Sequence, residues 1–418
     1  MNNLFRFLTI NINDSITILY LILNKDMSFK NQLLNYYTYI FFVALLARVL
    51  FHIYSPIDYF PDSFSYLKLS NIIFTSTLIE DYQAMPGYPI FLYLSNKIFS
   101  NYFAFDILVS SILVLVASRL YFKIFNNEQG AKICALLFAL YPFNIFYASI
   151  MLSENSYVFF NFVGFACLYY NKNILGFLFI IIAILIRPSL DLFNIIIIIL
   201  FSIFIFKDQF KTTCLKITIF ILMYCAIFTP WWIYNYERFG QFVKLTPGLG
   251  IVLYSGNNKL NKTGGGNYPE DFNFDIVEGI DDPIKKDKIM KESAIKFIIE
   301  NPEKFIKLCI KRFLRFYNIV PNYKKDNILS KDFKFSTVIL VSKISMVGLY
   351  FFSLLTLIKL NKKTFVKLLP LLTYTVLLTG IHVITIASIR YRFPIEFILL
   401  ILSSFSINLI FDKIKHKF

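Results

Sequence analysis

The chain has 418 residues, of which 57% are hydrophobic and only 16% charged, with a mean hydropathy of +0.61. That balance excludes a water-soluble core, because its Ile, Leu and Phe runs repeatedly approach the roughly 20 apolar residues that a helix needs to cross a bilayer. The net charge of +16 does not point to nucleic acid. No recognition motif accompanies it, and most lysines sit in short loops between apolar runs, where they set topology. The five cysteines form no CxxC pair, so neither a structural zinc nor a disulfide framework is indicated.

In chain order, residues 1–32 read as a cytoplasmic N-terminal segment. Ser15 to Asn24 is briefly apolar but lacks a small-residue cleavage site, and the stretch from Met27 resembles a natural start. Residues 1–26 are therefore read as an interfacial helix or an upstream start. Membrane spans are expected at about 33–55, 102–123, 131–150, 154–171, 173–187, 189–206, 213–235, 335–358, 365–387 and 393–411. Arg187-Pro188 splits the run 173–206 into a tight hairpin, since a proline disfavours helix in the residue before it. The reading is an all-α integral membrane protein with about ten transmembrane helices. Its parts are a core at 33–235 with a functional outer loop at 56–101, a small extracytoplasmic domain at 236–334, and C-terminal transmembrane helices at 335–418.

Alternation of the spans puts Lys123, Lys132, Lys172, Lys207, Lys211, Lys359, Lys362, Lys363, Lys367, Lys413, Lys415 and Lys417 on one side. By the positive-inside rule that side is cytoplasmic and holds both termini. The outer loops then carry the chemistry. The segment after the first span holds Asp58 and Asp62 at the water line, where a charge is cheap only if it faces water or a partner. The outer turns add Glu154, Arg187, Arg390 and Arg392. Two readings of the arginines stand side by side. Arg187 with Asp191, and Arg392 with Glu396, have the four-residue spacing of helix ion pairs. Three basic turn residues facing Asp62 and Glu154 equally suit a site that binds anions. Arg48 and Arg119, inside spans, read as snorkelling or structural.

In 236–334, Gly264-Gly265-Gly266 has no preceding strand and no following Lys-Ser/Thr, so a phosphate-binding P-loop is not indicated. Asp282-Pro283 and Asn301-Pro302 read as helix N-caps with proline at the first helical position. Lys304, Lys307, Lys311 and Arg315 form one stripe of a helix expected at 302–318, suited to lie on an anionic leaflet.

The motifs taken together resemble a family. Asp62-Ser63-x-x-Tyr66 after the first span is followed by Pro86-Gly87-Tyr88-Pro89, Tyr141-Pro142, Ser153-Glu154-Asn155 and Arg187-Pro188. Then come Pro230-Trp231-Trp232-Ile233-Tyr234-Asn235, Phe239-Gly240, Gly256-Asn257-Asn258, Asn301-Pro302 and Arg390-Tyr391-Arg392-Phe393-Pro394. This ordered set resembles the polytopic GT-C glycosyltransferases that use lipid-linked sugars. They include the protein O-mannosyltransferases (glycosyltransferase family 39-like) and the aminoarabinose transferases of lipid A. Tyr234 stands where the pattern leads one to expect an arginine.

The resemblance implies a polyprenyl-phosphate sugar donor in the bilayer and an acceptor outside: a lipid, a glycan or a protein. Asp62 would deprotonate the acceptor as it attacks the anomeric carbon, with inversion. Arg187, Arg390 and Arg392 would bind the donor phosphate. Glu154 would be a second catalytic carboxylate, orienting the acceptor or ligating a metal. Asp58, Tyr66 and His382 are accessory candidates. No cofactor is required by the residues; a divalent metal on histidine and carboxylate competes with plain packing of His52 and His382. The Ile-, Asn-, Lys- and Phe-rich composition adds a bacterial inner membrane as the expected location, in cell-envelope, lipopolysaccharide or protein glycosylation. Membrane lipids are the other expected partner. The alternatives are a polysaccharide polymerase or ligase acting on lipid-linked glycans, and a lipid transporter or flippase, although no inverted repeat is visible.

Overall fold

The computed structural model describes residues 31–54, 59–75, 84–265, 271–319 and 335–415; Asp58 and the N-terminal segment up to residue 30 lie outside them. Every regular element among the described residues is helical. The helices are α1 (Asn31–Tyr54), α2 (Pro61–Ile72), α3 (Gly87–Phe99), α4 (Ala104–Phe125), α5 (Glu128–Leu140), α6 (Pro142–Tyr147), α7 (Glu154–Tyr169), α8 (Asn173–Ile186) and α9 (Asn194–Leu200). They continue as α10 (Phe210–Phe239), α11 (Leu249–Gly256), α12 (Pro283–Glu300), α13 (Pro302–Phe316), α14 (Phe335–Lys359), α15 (Lys362–Ile384) and α16 (Ile389–Lys415). Six of them, α1, α4, α10, α14, α15 and α16, are long and apolar enough to cross a membrane, and α8 and the run Asp191–Phe206 are shorter apolar helices.

Burial sorts hub from rim. The most apolar windows of α16 and α4 are 72% and 67% buried, that of α10 only 22%. Exposed Leu222 on α10 and Val347, Phe351 and Leu354 on α14 form outward stripes of the kind lipid covers. Between α7 and α8 the backbones approach closely. A side chain on Gly164 would meet the Gly176 carbonyl oxygen at 3.0 Å, and one on Gly176 would meet that of Gly164 at 3.1 Å. Small residues permit such contact where no hydrophobic force drives helices together.

The span expected over 131–150 divides at Tyr141-Pro142 into α5 and α6, because proline cannot continue the hydrogen-bond ladder. Arg48 repairs the break. From α1 its guanidinium donates to the carbonyls of Phe138 (3.3 Å), Ala139 (3.1 Å) and Ala44 (2.9 Å), and to Ser110 Oγ (2.7 Å). It is a fully buried structural arginine and does not snorkel. The hairpin expected at Arg187-Pro188 is present: α8 ends at Ile186 and the chain resumes helix at Asp191. By contrast, α10 runs on past Pro230 to Phe239 and stops at Gly240 in the left-handed region, φ +66°.

Between α10 and α14, Asp282 caps α12 by accepting from Ile284 N at 2.9 Å. Asn301 makes no such cap; its amide donates back to the Phe297 carbonyl at 3.2 Å. The basic stripe of α13 is also used differently from the sequence reading. Lys304 and Lys311 donate to the carbonyls of Lys259 (2.7 Å) and Lys262 (2.8 Å), holding the loop before the glycines. Ile306, Ile310, Phe313 and Leu314 are the exposed face. Arg312, fully buried, donates to the Val383 and Ile384 carbonyls and to Asn257 Oδ1, each at 2.8 Å, and so ties α13 and α11 to the end of α15. Burial pushes its guanidinium down to about 10, still charged at neutral pH.

The lysine-bearing ends of α4, α7 and α15 gather at the opposite end from the Arg187 hairpin. Lys123 lies 4.9 Å from the Tyr170 ring, and Lys367 donates to the Ile124 carbonyl at 3.2 Å.

Candidate active site

Four of the charged residues singled out in the sequence meet at one end of the bundle. Asp62 sits in the first turn of α2, Glu154 begins α7, Arg187 closes α8 and Arg390 lies in the first turn of α16. Helix N-termini suit carboxylates because the orphan N–H groups leave partial positive charge there. Arg390 bridges the two acids: its Nη1 donates to Asp62 Oδ2 at 2.6 Å and its Nε to Glu154 Oε1. Arg187 Nη1 donates to the same Glu154 Oε1 at 2.6 Å. Glu154 has no exposed side-chain surface, whereas Asp62 is 49% exposed, so one acid is enclosed and the other opens to solvent. Two carboxylates thus balance two guanidiniums, as a buried ionic cluster requires.

The short motifs explain how the acids are held. Pro61 opens α2 at its first helical position, and Ser63 Oγ donates to the Met151 carbonyl at 2.8 Å. Tyr66 OH, one turn on, donates to Ser153 Oγ at 3.2 Å. Asp62-Ser63-x-x-Tyr66 is therefore the strap that fastens the first loop to the turn before Glu154. In Pro86-Gly87-Tyr88-Pro89 the glycine is needed for approach: a side chain there would lie 2.6 Å from the Leu185 carbonyl, just ahead of Arg187. Tyr88 OH donates to Asp106 Oδ2 at 2.9 Å. Asp106 Oδ1 in turn accepts from Asn155 Nδ2 (3.0 Å) and Ser156 Oγ (2.7 Å), which fixes the first turn of α7 beside Glu154.

Asp106 was not singled out in the sequence. Its signal was a lone carboxylate in the first turn of an otherwise apolar span, which by itself marks a functional or strongly partnered residue. Pro230-Trp231-Trp232-Ile233-Tyr234-Asn235 has a different task. Trp231 and Trp232 donate their indole N–H groups to the carbonyls of Leu245 (2.7 Å) and Lys244 (2.9 Å), and Asn235 donates to Val243 (2.9 Å). The clamp presents Lys244, which pairs with Asp191. Asp191 is thus taken, and the Arg187–Asp191 helix pair is not formed.

Arg392 is not brought into the cluster. It is fully buried and pairs at 2.9 Å with Glu396, whose other oxygen accepts from Tyr141 OH at 2.7 Å. Its Nη1 donates to the Phe316 carbonyl at 3.1 Å and to that of Asn318. Tyr391, between the two arginines in sequence, is the aromatic neighbour of the site: the Arg187 and Arg390 guanidiniums lie 5.0 and 5.9 Å from its ring centre. His382 stacks on Tyr391 at 4.8 Å and on Phe316 at 5.7 Å, and its Nδ1 faces the Ile386 carbonyl at 3.2 Å. His52 packs on Phe103 at 4.7 Å. Among the described residues no group of three His, Cys, Asp or Glu side chains could hold a metal ion. Among the described residues, a guanidinium lies between the two acids of the cluster.

No protein-family model and no curated protein matches the chain. Solved structures do. The archaeal oligosaccharyltransferase AglB of Archaeoglobus fulgidus, in complex with an inhibitory peptide and a dolichol-phosphate, superimposes with a TM-score of 0.52 at 11% identity over 92% of this chain and 51% of that one. The oligosaccharyltransferase of Archaeoglobus fulgidus in its apo form gives a TM-score of 0.52 at 13% identity over 90% of this chain and 51% of that one. This chain spans about half the length of either. At such identities the likeness carries the architecture: the chain has an all-α, multi-pass membrane fold like that of these GT-C enzymes.

Proposed function

We propose that the protein is a membrane glycosyltransferase that moves a sugar from a polyprenyl-phosphate donor to an extracytoplasmic acceptor. One observation carries the reading: Asp62 and Glu154 converge with Arg187 and Arg390 at one end of a bundle shaped like a GT-C enzyme. The arginines suit the donor's phosphate, since a guanidinium fork matches phosphate oxygens bidentately. Asp62, half-exposed beside them, is the base. The acceptor hydroxyl oxygen forms a bond to the anomeric carbon as the bond from that carbon to the phosphate oxygen breaks. The bonding pair leaves on the phosphate, the hydroxyl proton passes to Asp62, and the anomeric centre inverts. Arg187 and Arg390 stabilise the charge that develops on the leaving phosphate. AglB is bound to a dolichol-phosphate and a peptide in its structure, which favours the same donor chemistry here. The polymerase or ligase alternative shares the lipid-linked chemistry but transfers a lipid-linked glycan in place of a single sugar. A flippase would leave the four-residue charge cluster without chemistry.

The test is transfer by purified protein from radiolabelled undecaprenyl-phosphate hexoses and pentoses. Arg390→Lys should raise the donor KM and lower kcat, because an ammonium cannot replace the fork that now spans two acids. Unchanged donor kinetics in that variant would remove Arg390 from the phosphate site.

The lysine distribution supports cytoplasmic termini and a site on the outer face. Reporter fusions after Lys211 and within residues 259–265 should read opposite sides of the membrane. Fusions that report the same side would put the four charged residues out of reach of an outer acceptor.

A further inference from the structure

Glu154 has one oxygen that the protein itself leaves unused. Oε1 takes both guanidiniums, whereas Oε2 has no hydrogen-bond partner although the side chain has no exposed surface. Asn155 Oδ1, the next acceptor along the chain, is unpartnered too, because that amide's nitrogen is turned to Asp106. Buried polar atoms in native proteins are nearly always satisfied, so an enclosed carboxylate oxygen without a donor marks a place where something else donates.

The neighbours decide what that is. Donor phosphate on Arg187 and Arg390 would lie within a guanidinium's width of Glu154, because both arginines now contact it. The atom bonded to that phosphate is the sugar's anomeric carbon, and the nearest substituent beyond it is on C2. The acceptor comes from the solvent side, where Asp62 is half-exposed. The enclosed oxygen therefore belongs to the donor side of the reaction.

We propose that Glu154 Oε2 accepts a hydrogen bond from the C2 hydroxyl of the donor sugar, so that Glu154 is the residue that reads the sugar. This rests on the transferase reading above. Such a bond strengthens as positive charge develops at the anomeric carbon, and so acts mainly on kcat. It also sets a substrate class: donors with a hydrogen-bond donor on C2, and not 2-deoxy sugars.

The experiment uses purified full-length protein and undecaprenyl-phosphate glucose and mannose, both against the one 2-deoxy hexose they share, and arabinose against its 2-deoxy form. Loss of a hydrogen bond to a charged group corresponds to roughly 10–150-fold in kcat/KM, and that loss is expected for the 2-deoxy donors. Equal kcat/KM for a parent sugar and its 2-deoxy form overturns the proposal without any variant. In Glu154→Gln the difference between the two donors should shrink severalfold, while undecaprenyl phosphate alone binds at least as tightly as to the native protein, a competing anion having gone. Full discrimination retained by a folded Glu154→Gln protein also overturns it. Absence of transfer and of donor hydrolysis with every sugar, by protein that binds undecaprenyl phosphate, defeats the transferase reading itself, and the inference falls with it.

Discussion

If the proposed transferase reading holds, Asp62→Asn protein should insert, stay folded and bind lipid donor, yet transfer sugar roughly 10²–10⁴-fold more slowly than the native protein, the usual contribution of a positioned base. Asparagine keeps the size of the side chain and an oxygen that can accept from Arg390 Nη1, now 2.6 Å from Asp62 Oδ2. What it loses is the capacity to take the acceptor's proton. The measurement is single-turnover transfer by purified protein, with donor affinity determined separately. Near-normal transfer would end the role given to Asp62. A collapse of donor affinity with little change in the chemical step would show instead that the carboxylate serves to position Arg390. Tyr66→Phe offers an internal comparison: it removes the 3.2 Å bond to Ser153 and loosens the strap while leaving the base in place.

Arg392→Met should cost about 3–5 kcal/mol of stability, because it strands Glu396 as a buried carboxylate with only Tyr141 left to it. The double variant Arg392→Met, Glu396→Gln should recover much of that loss, since a neutral pair leaves no uncompensated charge. Thermal unfolding in detergent on the two single variants and the double one reads the effect. The expectation from sequence, that Arg392 helps to hold donor phosphate, makes the opposite forecast: normal stability and a raised donor KM. Arg392 is enclosed by Phe316, Asn318 and Glu396, and by Met346, whose sulfur lies 3.5 Å from its Nη2. That geometry favours the structural outcome.

The contrast between Arg390 and Arg392 shows where sequence reasoning reaches its limit. Both lie in one five-residue motif at the same end of α16, two positions apart. Residues two apart on a helix face in different directions, so one guanidinium meets Asp62 and Glu154 while the other enters the bundle. The same ambiguity attended Arg187, whose four-residue spacing to Asp191 suits a helix pair. Pro188 ends α8 between them, and a partner far along the chain, Glu154, takes the arginine.

By itself the sequence determined that the protein is helical and membrane-embedded, where the hairpin at Arg187-Pro188 turns, and that Asp62, Glu154 and Arg187 are charges needing partners. Apolar run length, proline and the cost of charge near a bilayer are local properties, readable residue by residue. Only the tertiary structure decided the partners. It gave Asp106 to Asn155 and Ser156, Arg48 to the carbonyls freed by Pro142, and both Arg187 and Arg390 to a single oxygen of Glu154. In a low-dielectric interior every buried polar group must find a donor or acceptor, and which one it finds depends on contacts across the bundle that no spacing along the chain encodes.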